Sequence, residues 1–326
     1  DCSLREAIQA ANTNLAVDGC IAGSGSSAIT LPAGTYTLSI DGMGENANRT
    51  GDLDIAGDPS INGSGATTTA IDGAGLDRVF HIFRGNTVWM SGLTVQSGNS
   101  GSDGGGGILN DGGTLTLTNS TVNDNAGRFA GGIRNAGRLT LNSSTVSNNT
   151  SLYDGAGIFK VGGTLTLTGS TVSGNTGRNS GGIKSDNGGT LTLTNSTVSG
   201  NNAEYGAGIN NDATLTVTAT TVSGNTASAA GGGIFTNFGT LTLTNSTLSG
   251  NSAVSSGGGI YNSQATITIV NSTFSSNSGG GIRSDASGTV NMTNTIVANT
   301  TSGSTAWALG HSIQTTTTWT ATAPAI

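Results

Sequence analysis

Between residues 104 and 300 apolar residues alternate with polar ones in short segments, and the segments recur about every two dozen residues. Each repeat holds three of them. The first runs into a Gly-Gly-Ile step, as at Gly131-Gly132-Ile133, and the second alternates leucine with threonine, as from Gly163 to Ser170. The third has the form of Ser196 to Asn201, Ser-Thr-Val-Ser-Gly-Asn. Aligned on the first segment, Ile108, Ile133, Ile158, Ile183, Ile209, Ile234, Ile260 and Ile282 are spaced by 25, 25, 25, 26, 25, 26 and 22 residues. In an extended segment successive side chains point to opposite faces, so Leu165 and Leu167 turn inward while Thr164, Thr166 and Thr168 turn outward. The third segment adds an apolar column of Val122, Val146, Val172, Val198, Val222, Leu248, Phe274 and Val297.

Three apolar stripes at a fixed period are the signature of a solenoid. Antiparallel hairpins fit the alternation but not the constant phase of all three segments. No helical pattern occupies the crossovers, which excludes a doubly wound sheet. The predicted fold is all-β, a single-stranded right-handed parallel β-helix with three parallel sheets and about eleven or twelve coils, the handedness following the usual crossover preference. An open solenoid rim needs a cover. Ser3 and Glu6 have the spacing of a capping box, and Leu4, Ala7, Ile8 and Ala11 form an apolar stripe, so Leu4–Asn12 is predicted as an N-terminal capping helix. The expected organisation is a cap over 1–26, irregular looped coils over 27–103, regular repeats over 104–300 and a tail or cap over 301–326.

Asparagine recurs after the third segment, at 125, 149, 175, 201, 225, 251, 277 and 299, and after the second at 119, 195, 245 and 271. Stacked inward amides bond along the axis, as in cross-β ladders. Turn asparagines need only tolerate unusual dihedrals. Both readings stand for both columns.

Composition narrows the function classes. The chain has 55 glycines but 3 prolines among 326 residues, without the three-residue period of collagen. Its net charge is −7 and its 11 basic residues are scattered, which speaks against nucleic acid as a partner. No run of 18 apolar residues provides a transmembrane segment. The opening Asp1-Cys2 reads as a processed or trimmed chain. Cys2 and Cys20 bracket the cap and are either a disulfide suited to an extracytoplasmic compartment or two unpaired thiols.

The stretch Cys2-Ser3-Leu4-Arg5-Glu6-Ala7 resembles the opening of bacterial CSLREA-domain β-helix proteins. So do Ala10-Ala11-Asn12, Leu31 to Tyr36, Gly51 to Ile55, and Asp72-Gly73 followed by Asp77 to Phe80. That group is similar to polymorphic outer-membrane passenger proteins and, more distantly, to pectate-lyase-like β-helices. The resemblance spans roughly residues 1 to 300. It implies the same fold, a secreted or cell-surface location and, together with the cysteine positions, the Cys2–Cys20 bridge.

Candidate chemistry lies on the surface of the repeats. The position after each first-segment isoleucine holds Leu109, Arg134, Phe159, Lys184, Asn210, Phe235, Tyr261 and Arg283, and the preceding turns add Arg128, Phe129, Tyr153, Asp154, Arg178, Glu204 and Tyr205. Aromatic and basic residues in such columns suit an extended saccharide. The carbohydrate-binding candidates are Arg128, Arg134, Tyr153, Phe159, Lys184, Tyr205, Phe235 and Tyr261; the bland alternative is long side chains shielding a sheet. If the protein is an enzyme, Arg134, Asp154, Arg178, Lys184 and Glu204 are the catalytic candidates, for a glycoside hydrolase or a lyase that removes a proton beside a uronate. Asp41, Glu45, Asp52, Asp54 and Asp58 are the calcium candidates, without EF-hand spacing. His81 and His311 are too far apart in the chain to suggest a histidine-based metal centre. Outward threonines from Thr164 to Thr244 resemble the lanes of ice-binding solenoids. The expected function is a surface scaffold or adhesin that binds an extracellular polysaccharide or surface protein without covalent chemistry. A polysaccharide-acting enzyme is the alternative, and ice binding a minor one.

Overall fold

The computed structural model describes residues 1–186, 188–300, 308–309 and 313–315. The chain is a parallel β-solenoid with three main parallel sheets and one short N-terminal helix. It divides into two compact units, residues 1–152 with 156–165, and residues 153–155 with 166–326. Four complete coils lie in the first unit and five in the second, about nine turns, where the repeat predicts eleven or twelve for the whole chain. The predicted tail over 301–326 lies largely outside the described residues.

The first unit opens with the helix Leu4–Thr13 (α1), one residue longer than predicted. Both arms of the capping box form: Ser3 N donates to Glu6 Oε2 at 2.7 Å, and Glu6 N to Ser3 Oγ at 3.3 Å. Leu4, Ile8, Ala10 and Ala11 are buried by the helix's inner face, and Asn14 ends it in the left-handed region at φ 56°. Polar bonds fix the helix to the strand Leu53–Ile55. Arg5 Nη1 donates to Asp52 O at 2.7 Å, Asn12 Nδ2 to Asp54 O at 2.7 Å, and Ala56 N to Asn12 Oδ1 at 2.9 Å. The Cys2–Cys20 disulfide closes the cap, with Cα atoms 4.8 Å apart.

Registers within each unit follow the repeat column by column. In the second unit Ile183 pairs with Ile209, Ile209 with Ile234 and Ile234 with Ile260 in the first sheet. Leu191, Leu215 and Leu241 pair in the second, and Val172, Val198, Val222, Leu248 and Phe274 in the third. All of these side chains are almost wholly buried. The glycines before the first sheet are steric necessities. Gly206, Gly231 and Gly257 have φ of +51°, +68° and +67°, and a Cβ at any of them would lie within 3 Å of the following strand. A side chain at Gly232 or Gly233 would meet Gly258 O or Gly259 O of the next coil at 2.7 and 2.6 Å.

The two asparagine columns separate. After the third sheet, Asn175, Asn201, Asn225, Asn251 and Asn277 are buried, and the Nδ2 of each of the first four donates to the Oδ1 of the next at 2.9 to 3.0 Å. The backbone N of each of those four also donates to that same oxygen, as from Asn225 to Asn251 at 3.1 Å. Asn125 and Asn149 repeat the bond in the first unit at 3.0 Å. The second column is different: Asn119, Asn195, Asn245 and Asn271 are exposed with φ of 48° to 52°, so they serve the turn, and the one amide contact along this column among the described residues is an exposed one, from Asn294 Nδ2 to Asn271 Oδ1 at 2.7 Å. Asn299 also leaves the ladder, exposed at φ 49°.

Two features escaped the sequence reading. A hydroxyl ladder runs beside the amides, with Ser196 N donating to Thr220 Oγ1, Thr220 N to Ser246 Oγ and Ser246 N to Ser272 Oγ, each at 3.2 Å. A further sheet of Asn202–Tyr205, Thr226–Ala230 and Ser252–Ala253 packs Ala203, Ala207, Ala227 and Ala253 into a small core. No described helix is long and apolar enough to cross a membrane.

The ladder gives a direct stability test. Asn225→Ala removes the acceptor of Asn201 and the donor to Val198 O. Unpaired buried groups of this kind cost about 1–3 kcal/mol each, so the variant should lose about 2–4 kcal/mol in equilibrium urea unfolding. Asn245→Gly, in the turn column, should change stability by no more than about 0.5 kcal/mol, because glycine adopts positive φ freely.

Candidate functional site

In the second unit the outward column of the first sheet continues Lys184, Asn210, Phe235, Tyr261 and Arg283 in register. The rings form a ladder. Phe235 and Tyr261 stack with centroids 5.1 Å apart and planes 1° from parallel, and Tyr205 meets Phe235 edge-on at 5.7 Å. Tyr261 Oη donates to Asp285 Oδ2 at 2.7 Å, and its hydroxyl is pushed up from the ordinary tyrosine range by burial, then by that carboxylate. Stacked rings cover one another's faces, so this ladder first of all stabilises the sheet.

Beside it lies an open cleft of about 240 Å³, whose lining includes Asp154, Lys184, Tyr205, Asp212, Phe235 and Asn237. That is below the roughly 300–1,000 Å³ of pockets that enclose a small molecule, so the cleft offers side-on contact. Lys184 is mostly buried and pinned. Its Nζ lies 2.6 Å from Asp212 Oδ2, 2.9 Å from Asp186 Oδ1 and 3.1 Å from Asn210 Oδ1. Burial opposes its charge most strongly, but the hydrogen bonds it donates to Asp212 and Asp186 prevail and hold the ammonium above the usual lysine range. Burial raises the Asp186 carboxyl, with Lys184 opposing.

This arrangement bears on the catalytic candidates. Lys184 carries one positive charge against Asp186 and Asp212, with Asp154 also on the lining, so the cleft is negative. Such a cleft repels a uronate and offers no spare cation for a developing enolate. Arg178 is exposed and lies 3.7 Å from Glu204, an ordinary surface pair. Arg128, Arg134 and Phe159 belong to the first unit, where Arg134 pairs with Phe159 and Arg128 lies over the Phe129 ring, 5.6 Å from its centroid. The expected patch is thus divided between two compact units: Tyr153, Asp154, Arg178, Lys184, Glu204 and Tyr205 fall in the second.

The calcium candidates also part company. Asp41 and Asp58 are exposed, Asp58 accepting from Thr87 N at 2.6 Å. Glu45 is occupied by the backbone N of Ala47, Arg49 and Thr50. Asp52 and Asp54 are buried, together with Asp77, Arg78 and His81. Asp52 is paired with Arg78, yet burial, with help from Asp54 and Asp77, pushes its carboxyl up to about 7. The sequence reading weighed His81 only against the distant His311, found no metal centre in the two, and missed the neighbour His81 has in the fold. The register of Leu53–Ile55 on Phe80–Ile82 sets Asp54 opposite His81, a relation visible once those two segments are aligned as successive coils.

A larger cavity of about 360 Å³ lies between the cap and the strand Ala28–Leu31, but Tyr36 is the one titratable side chain on its lining. On the second sheet of the second unit, Thr190, Thr214, Thr240 and Thr266 pair in one lane and Thr192, Thr216, Thr242 and Thr268 in another. Val270 interrupts a third lane and Asn291 ends the second.

A family model described as "right handed beta helix region" matches residues 156–318, half of the chain. No curated protein and no solved structure matches it.

The lysine network sets a pH dependence. Its folded pKa lies above the unfolded value, so its stabilising contribution is full below about pH 10.4 and is lost as pH rises through the folded pKa. The melting temperature of the unaltered chain should exceed that of Lys184→Met at pH 8, and the gap should close towards pH 12. A gap that stays constant over that range would assign the loss to packing instead of charge.

Proposed function

The chain belongs to the right-handed β-helix family, and from that premise we propose that it is a secreted or cell-surface scaffold that recognises a neutral, extended polysaccharide. Within the family, the Cys2-to-Ala7 motif favours the CSLREA-domain group, and the capping box and disulfide built from its residues support that assignment.

One observation carries the binding proposal: the open cleft beside the Tyr205–Phe235–Tyr261 ladder mixes carboxylate and amide groups with aromatic edges while its lysine is already neutralised. Carboxylates and amides accept and donate to sugar hydroxyls, and an aromatic edge shields the apolar side of a ring. An acidic polymer would meet like charge there. Charge therefore separates the scaffold from the lyase alternative.

A panel of neutral and acidic polysaccharides tests this, read by retained protein, by absorbance of unsaturated ends and by new reducing ends. The expected outcome is retention on neutral glycans without either product. Tyr205→Ala should weaken the best interaction about tenfold, about 1.4 kcal/mol. Unsaturated ends from a uronate polymer would establish the lyase instead, and reducing ends alone a hydrolase. A protein that retains no glycan would lose the carbohydrate part of the proposal.

The threonine lanes favour a minor second reading, ice binding, because their hydroxyls recur in register along the sheet. It predicts thermal hysteresis that falls on Thr216→Lys, and its absence at millimolar protein would discard it.

A further inference from the structure

In the first unit one buried cluster leaves Asp52 Oδ1, Asp54 Oδ1, Asp77 Oδ2, Arg78 Nη1 and both His81 nitrogens without a hydrogen-bond partner, and within it Asp52, Asp54 and His81 form a triad of metal-ligand type. Asp52, Asp54 and His81 are 1%, 1% and 7% exposed, and each brings one ligand atom to within 4.8 Å of the other two. We infer that this triad is a binding site for a small divalent first-row metal of the zinc class, independent of the proposed glycan surface.

The neighbouring contacts hold each carboxylate by its other oxygen. Asp52 Oδ2 is taken by Arg78 Nε, and Asp54 Oδ2 accepts from Asn48 N at 2.8 Å. What remains is one free oxygen from each, and an imidazole nitrogen 3.3 Å from Asp54 Oδ1 that makes no hydrogen bond to it. Two ligands on a tetrahedral ion with metal distances of about 2.0–2.1 Å are about 3.3–3.4 Å apart, which matches this edge. The wider separations require the carboxylates to turn inward on binding. Buried polar atoms are ordinarily paired, so three orphaned ligand atoms in one group call for a shared partner. Arg5 and Arg78 balance part of the charge of Asp52, Asp54 and Asp77.

Donor type selects the metal. Calcium takes six to eight oxygens, and this triad offers two oxygens and a nitrogen. Two carboxylates and an imidazole suit zinc, with a fourth position for water. The strands involved, Leu53–Ile55 and Phe80–Ile82, are adjacent, and α1 bonds to the first of them, so the ion would fasten the coil on which the cap rests.

Because the site is buried, the full-length chain should be refolded with zinc, with calcium or with a chelator, dialysed, and its metal content measured beside its melting temperature. The expected result is about one zinc per chain and a higher melting temperature with zinc than with calcium or chelator. His81→Gln and Asp54→Asn should retain none, while Asp58→Asn, at an exposed carboxylate, should retain zinc in full. Cobalt(II) in the unaltered chain should give the intense visible absorption of a four-coordinate site, a readout that does not depend on whether the variants fold. An unaltered chain that holds no zinc and shows no such cobalt spectrum would overturn the inference and leave a histidine–carboxylate contact. Full zinc retention by folded His81→Gln would overturn it as well.

Discussion

A polar group buried in a stacked parallel coil has few places to find a partner except the coils before and after it, and this constraint organises the protein. Backbone amides meet it in the sheets. At the turns the asparagines after the third sheet meet it with a side-chain bond and a backbone bond to the same neighbouring oxygen. An isolated buried amide would be a liability, and a column of them is a spine. The hydroxyl ladder from Ser170 through Ser272 applies the same solution one turn earlier in each coil. The spine dictates the period, because an insertion that moves an asparagine off its column leaves two neighbours unpaired.

The same logic explains why the surface is plain. Outward positions on the second sheet need only β propensity and solvation, which threonine supplies. Charged residues are few, and most that occur near the second unit's cleft are bound to one another. Lys184 is held by Asp186 and Asp212, and Arg283 faces Asp285 at 3.6 Å. A surface that has neutralised its own cations is suited to hydroxyl-rich ligands and poorly suited to anionic ones.

The amino-terminal region of the first unit departs from this economy. There the repeat loosens, loops cover the outward face of two strands, and carboxylates sink into the interior beside Arg78 and His81. Burying several ionisable groups is costly unless each is paired, and those at Asp52, Asp54 and His81 are paired incompletely. This is where the chain spends stability on something other than regular stacking.

The period, the three apolar stripes and the capping box of the N-terminal helix were legible in the sequence because each depends on local alternation or short spacing, while the Cys2–Cys20 bridge was implied by the family resemblance. The solenoid follows from them, since only in-register stacking buries every stripe at once. The two asparagine columns were not separable by sequence: both follow a strand, and only the direction of the side chain, set by the dihedral at that turn, makes one a ladder and the other a bend. Nor did sequence reveal that Lys184 is captured, because Asp186 and Asp212 reach it from its own strand end and from the next coil. His81 and Asp54 are 27 residues apart and became neighbours through the register of two irregular coils. Alternation along the chain is a local property, while the contacts that make chemistry are made between coils, where one residue of slippage exchanges every partner.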